Sequence, residues 1–305
     1  MHPLPERIAL GTTRRPGTLV HLVDTARELG LQSLHASSTQ IDPAVRPLVT
    51  ALREARVSLG SVEIAAPDPS KPEGFVRDHW LTAEKEPARR GAVAEALEST
   101  RRAAAAGASL VVVRIGPVPT PDGPTRHLSA MDHAREGSPL DDPDRMSLES
   151  SLAGLEEAAV ELACRSLHEL CRSAPDVTFC LAAGASYFEV PRLRHLEWIL
   201  GEVRARNLGY WHVPGRCEAL ESVGLEKASE WLQTFSSRMF GVTWHDARVD
   251  ESGLLPETGR VDLSMVADSM TSATRIAVDV AADWGADESR HAVESLRRGT
   301  RTASS

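Results

Sequence analysis

Short apolar runs alternate along the chain with longer stretches of helical period. The runs are Arg7–Gly11, Leu31–Ala36, Ser58–Ile64, Leu110–Ile115, Val177–Leu181, Leu208–His212, Met239–Trp244 and Arg275–Val280. Each is short enough for a strand, and LVVVRI at Leu110 is the clearest buried one. Between them lie predicted helices. Gly17–Leu29 puts Leu19, Val20, Val23, Ala26 and Leu29 on one face before a stop at Gly30. Asp42–Ala55 starts with an N-cap Asp42 and Pro43 at the first helical position. Pro87–Ala106 stops at Gly107, and Ser147–Ser173, Leu193–Arg204, Leu225–Phe235, Asp262–Met270 and Glu288–Arg298 follow.

Eight strand–helix units in one chain predict an α/β protein, a single (β/α)8 TIM barrel over residues 1–298 with a flexible polar tail over 299–305. A doubly wound open sheet would bring a Gly-rich phosphate turn after its first strand, and the sequence there is GTTRRPG. Two long loops, 65–86 and 116–146, fall on the C-terminal face of the barrel. Loops of that length are lids or binding loops when they are not disordered insertions.

Composition narrows the function classes. The chain has 305 residues, a net charge of −9 and 25% charged positions. An acidic chain lacks the basic surface that phosphate neutralisation needs, so nucleic-acid partners are excluded. No apolar window reaches membrane-span length and the N-terminus lacks a signal-peptide pattern, so no membrane partner and a cytoplasmic location are expected. The cysteines, Cys164, Cys171, Cys180 and Cys217, have neither CxxC nor zinc-finger spacing and read as buried free thiols. Arg outnumbers Lys 31 to 3 and Asn207 is the lone Asn. That bias matches GC-rich codons and a bacterial source, so the Arg excess is not a phosphate-binding signal.

Three segments carry a family resemblance: WLTAEKEPARRGAVAEALESTRRAAAAGASLVVVRIG at Trp80–Gly116, GYWHVPGR at Gly209–Arg216, and GVTWHDAR at Gly241–Arg248 followed by PETGRVD at Pro256–Asp262. They resemble the xylose isomerase-like TIM-barrel superfamily of sugar phosphate isomerases, epimerases and endonuclease IV-like proteins. The resemblance implies a divalent metal held by a Glu, an Asp, a His and a Glu ending strands five to eight. Carried over position by position, these fall on Ala182, on His212, on Thr243 with His245 two residues later, and on Asp279. Ala cannot ligate a metal and Thr ligates poorly, so the inherited site is degenerate and no cofactor is expected. A rebuilt transition-metal site from His212, His245 and Asp279 stays open, since His2-carboxylate sites exist.

The strand ends remain polar. His35, Glu63, Arg114, His212, Arg216, His245, Asp246 and Asp279 are all expected at one mouth. His212 and His245 are the expected acid–base pair, since imidazole titrates near neutrality, with Glu63 or Asp246 as orienter or second base. His35, Arg114, Arg216 and Asp279 are expected to bind substrate, the arginines holding an anionic group. Arg114 pairing with Glu63, and Asp246 capping a turn, are the structural alternatives. His79, Trp80, His127, Asp132 and His133 lie in the long loops. Two functions stay open: an isomerase, epimerase or dehydratase-type lyase acting without the metal on a small anionic or polyhydroxylated substrate, or a non-catalytic small-molecule-binding protein on a decayed site. A homodimer is expected, with the long loops crossing the interface. DNA-repair endonuclease chemistry needs a metal cluster and a basic groove, and the sequence displays neither.

Overall fold

The computed structural model describes residues 7–11, 19–41, 45–64, 80–118, 136, 140–152, 154–184, 186–249, 251–281 and 284–302. Eight parallel strands close into a barrel: β1 (Ile8–Gly11), β2 (Ser33–Ser37), β3 (Ser58–Glu63), β4 (Leu110–Val113), β6 (Thr178–Leu181), β8 (Leu208–His212), β9 (Met239–Trp244) and β12 (Arg275–Asp279). The closing pair is β1 on β12, with Gly11 opposite Asp279. Two small antiparallel pairs sit outside it, β5 (Gly116–Pro117) with β7 (Glu189–Val190) and β10 (Asp246–Arg248) with β11 (Glu251–Leu254). The single (β/α)8 barrel is thus the fold, with helices between successive strands.

Strands β8 and β9 occupy the expected residues, because each is a buried run with clear breaks on both sides. Elsewhere the structure departs from the expected elements. The helix expected at Ser147–Ser173 is two, Asp142–Leu152 and Leu155–Ser173, separated at Gly154, whose φ of 81° no continuing helix tolerates. Helix Pro214–Ser222 and the β10–β11 hairpin have no counterpart in the periodicity. The last helix is Ala286–Thr302 and Thr300 is buried, so residues 299–302 are not a tail. Helix Val45–Ala55 is present, while the expected cap Asp42 and Pro43 lie outside the described residues. So do His79, His127, Asp132, His133 and most of both long loops. Among the described residues, no helix is long and apolar enough to cross a membrane.

Alternation along each strand sorts side chains into two sets. Leu10, Leu34, Val111, Phe179, Tyr210, Val242, Trp244 and Val278 face outward and pack under the helices. Leu110, Val112, Cys180, Ala182, Trp211, Val213 and Ala277, with Phe240 against them, fill the barrel interior. Trp211 lies across Gly241, where an added Cβ would stand 2.1 Å from the indole. Gly209 admits the Phe240 ring in the same way, at 2.4 Å. Burying one such ring contributes roughly 1.5–3 kcal/mol, and both depend on a neighbour with no side chain.

Candidate active site at the barrel mouth

The inward set continues upward into polar groups. Ser61 and Glu63 come from β3, His35 from β2, Asp279 from β12, and Arg114 and His245 from the residues just past β4 and β9. Arg216 enters from helix Pro214–Ser222, which lies against the hairpin above the barrel end.

Arg216 Nη2 donates to Glu63 Oε1 at 2.8 Å, and its Nη1 donates to the Ala183 carbonyl at 3.3 Å. Burial pushes the Glu63 carboxyl up, but Arg216, with His35 and Arg114, outweighs it and holds the group below the usual carboxylate range. Arg114 pairs with Glu189, not with Glu63, and lies over the Trp80 ring at 5.7 Å. Trp80 itself is buried. Glu189 is 2% exposed and its second oxygen accepts from the Ser186 N–H at 3.1 Å. It escaped the sequence reading because its two-residue strand β7 is too short to carry a periodic signal.

Below this charged rim is a layer of neutral hydrogen bonds. His35 Nδ1 bonds Ser61 Oγ at 2.7 Å, and its ring stacks on Trp211 with centroids 5.1 Å apart. Trp211 Nε1 donates to Thr243 Oγ1 at 2.8 Å. Burial lowers the His35 pKa to about 4, against the opposing pull of Glu63. His35 is therefore a neutral hydrogen-bonding group at pH 7.

His245 is placed differently. Its Nε2 accepts from the Gly215 N–H at 3.3 Å and lies 3.2 Å from Ser252 Oγ. A backbone N–H can only donate, so Nε2 is an acceptor and the neutral ring carries its proton on Nδ1. Nδ1 faces Asp279 Oδ2 at 3.9 Å. A Cβ at residue 215 would stand 2.9 Å from Nε2 and 2.2 Å from Ser252 Oγ, so the close approach requires glycine.

Two expected members of the site are elsewhere. His212 shares the outward face of β8 with Tyr210, whose hydroxyl it meets through Nδ1 at 2.8 Å. Alternation carries it away from the barrel axis, and it is no partner for His245. Asp246 does not orient His245 either. Its carboxylate accepts from the backbone N–H groups of Ala247, Gly259 and Val261 at 2.7, 2.8 and 3.0 Å, which ties down the segment after the hairpin.

The residues present do not fit the family's four-ligand metal site. Ala182 belongs to the apolar interior, and Thr243 receives the Trp211 indole N–H. Of the rebuilt trio His212, His245 and Asp279, the first faces the helices, so the trio does not assemble. Among the described residues no group of three or more His, Cys, Asp and Glu is placed to hold a metal ion. Cys164, Cys171, Cys180 and Cys217 are buried free thiols.

No protein-family model matches the sequence, and no curated protein matches it. Solved structures do match in shape. An L-ribulose 3-epimerase superposes with a TM-score of 0.69 at 11% identity, over 98% of this chain and 96% of that one. The IolI protein with a bound zinc atom gives 0.68 at 13% identity, over 97% and 98%. A xylose isomerase domain protein from Planctomyces limnophilus gives 0.65 at 16%, over 99% of both chains. Identities this low establish the fold alone, a single (β/α)8 TIM barrel.

Proposed function

We propose that this xylose isomerase-like barrel is an acid–base enzyme of the isomerase or epimerase type, acting at the mouth, without a metal, on a small uncharged polyhydroxylated carbonyl compound. The observation that carries the reading is the state of His245. Its Nδ1 proton faces the Asp279 carboxylate, which leaves the single proton-accepting lone pair on Nε2, held in the resting site by the Gly215 N–H and beside Ser252 Oγ. Nε2 exchanges its Gly215 and Ser252 contacts for a proton from the carbon next to the carbonyl, and Asp279 stabilises the imidazolium. The same nitrogen returns the proton to the adjacent carbon of the enediol in an isomerisation, whereas inversion in an epimerisation takes Glu63 as the second acid–base group. The Arg216 guanidinium is the cation available to the developing oxyanion, and the ionised Glu63 accepts from substrate hydroxyls.

Structural neighbours described as an L-ribulose 3-epimerase and a 3-keto-D-glucoside 4-epimerase support this substrate class. An uncharged substrate is favoured over an anionic one because each mouth arginine already faces a glutamate, and Asp279 adds a further carboxylate. Those pairings also favour a second reading, that the mouth binds a small molecule without turning it over.

Incubation of the protein with ketopentoses and ketohexoses in D2O containing a chelator separates the two. Deuterium incorporation next to the carbonyl, lost by about 10²–10⁴-fold in His245→Gln, supports the enzyme. Saturable sugar binding with no exchange supports the binding protein. Exchange abolished by the chelator and restored by a divalent metal overturns the metal-free chemistry. The protein is placed in the bacterial cytoplasm as a homodimer on the sequence expectations alone, and light scattering at monomer mass would reject the dimer.

A further inference from the structure

The outward turn of His212 places it in a cavity of its own. This cavity, of about 200 Å³, lies between strand β8 and the helices around it, and His212 lines it together with Glu218, Glu221, Arg260, Asp262 and Met265. It is separate from the mouth, because its strand contributes to the two spaces through opposite faces. We propose that it is a second small-molecule site for a small organic cation, a primary ammonium group carried on a short apolar body.

Charge and shape both lead there. Three carboxylates and one guanidinium line the cavity: Glu218, which Arg260 faces, and Glu221 and Asp262, which accept from the backbone N–H groups of Ala228 and Met265. Glu218 is the buried one, with a side chain 9% exposed and Oε1 accepting from Ser222 Oγ at 3.0 Å. Arg260 Nε stands 3.5 Å from that same oxygen on a side chain 61% exposed, where water screens it. Burial, with Glu221 adding to it, pushes the Glu218 carboxyl up and outweighs the Ser222 hydroxyl, Arg260 and the Val249 N–H, so the protein alone compensates this charge incompletely. An ammonium group entering the cavity supplies the missing compensation.

His212 supplies the second polar contact. It is 1% exposed and its Nδ1 meets the Tyr210 hydroxyl; an ammonium group only donates, so the site uses the tautomer in which Nδ1–H donates to that hydroxyl and Nε2 carries the lone pair. Burial lowers its pKa to about 3, so it stays neutral and does not repel a cation. Pro214, Val266 and Met265 form the apolar wall for the ligand's body. Ligand sites in general combine such a wall with a few placed polar groups.

The test is calorimetric titration of the purified protein with butylammonium chloride, with 1-butanol as the neutral isostere. Expected are saturable binding of one butylammonium per chain and binding of 1-butanol weaker by about tenfold or more. Glu218→Gln should weaken butylammonium by about tenfold, whereas Arg260→Gln, which removes the competing cation, should tighten it several-fold. Glu63→Gln, at the mouth, should leave it unchanged. Equal affinity for the alcohol, loss of binding in Glu63→Gln, or no saturable binding would each overturn the site. Should Glu218→Gln fail to fold, Arg260→Gln decides alone: unchanged or weaker binding rejects the proposal.

Discussion

Arg216 reaches across the barrel opening to Glu63, Nη2 to Oε1 at 2.8 Å, although 153 positions separate them in sequence. One comes from the third barrel strand and the other from the helix after the sixth, so the ion pair bridges strands that are not neighbours. Both side chains are under 20% exposed. Removing one partner leaves the other as a largely buried, uncompensated charge.

Arg216→Leu should therefore cost on the order of 3 kcal/mol at pH 7. The folded-state pKa of Glu63 lies below its ordinary 4.5. Its stabilisation is thus full above pH 4.5 and disappears as pH falls through the folded value. Urea unfolding of wild type and variant at pH 7 and at pH 3 should show the gap narrowing at the lower pH. A constant gap would mean that the pair is not what the variant lost.

Acid should destabilise the barrel well before its carboxylates titrate. Burial lowers His35 from 6.5 to about 4 and His212 from 6.5 to about 3. Above pH 6.5 both are neutral folded or unfolded and neither shifts the balance. As pH falls below 6.5 the unfolded chain takes up protons that the folded chain refuses, and stability drops until the folded values are reached. Each site contributes on the order of 3–5 kcal/mol to that drop. Denaturant midpoints between pH 7 and 4 should fall steeply in wild type and less steeply in His35→Gln.

Gly241→Ala should disturb the interior rather than the surface. Its Cβ would stand 2.1 Å from the Trp211 ring, which is itself stacked on His35 and bonded to Thr243. Overpacking of this kind costs about 1–3 kcal/mol. Near-ultraviolet circular dichroism should report an altered tryptophan signal with unchanged helix content in the far ultraviolet.

Gly215→Ala should remove turnover while leaving the fold. The added methyl meets Ser252 Oγ and His245 Nε2, so the imidazole must move from its backbone donor. Loss of a positioned base costs about 10²–10⁴ in rate. The variant should match His245→Gln in kcat and retain wild-type sugar affinity. Wild-type kcat would remove His245 from the reaction.

The barrel was legible because strand and helix periods alternate cleanly, and LGYWH and MFGVTW were bounded correctly to the residue. Which face a strand residue occupies was harder. Every residue of LGYWH is buried, so hydrophobicity gives no parity, and His212 was assigned to the mouth when it belongs to the helix side. The glycines carried the missing signal. Gly209 and Gly241 mark where the large rings of Phe240 and Trp211 lie in the interior, which fixes Trp211 inward and His212 outward. Asp246 was misassigned for a related reason. Adjacency to His245 looks like a dyad on paper, yet neighbours along an extended chain point to opposite sides. Asp279, distant in sequence, is the carboxylate that His245 faces.

The hydrogen bond from the Gly215 N–H to His245 has a hereditary side. Where a side-chain partner sets an imidazole tautomer, a single codon change can delete that partner. Here the donor belongs to the main chain, and almost any residue substituted elsewhere leaves it in place. Sequence drift can thus rewrite the helices and the outer strand faces without resetting where the proton sits. The vulnerability is concentrated at positions 215 and 245, and a lineage that keeps those two codons keeps the Nδ1 proton where it is.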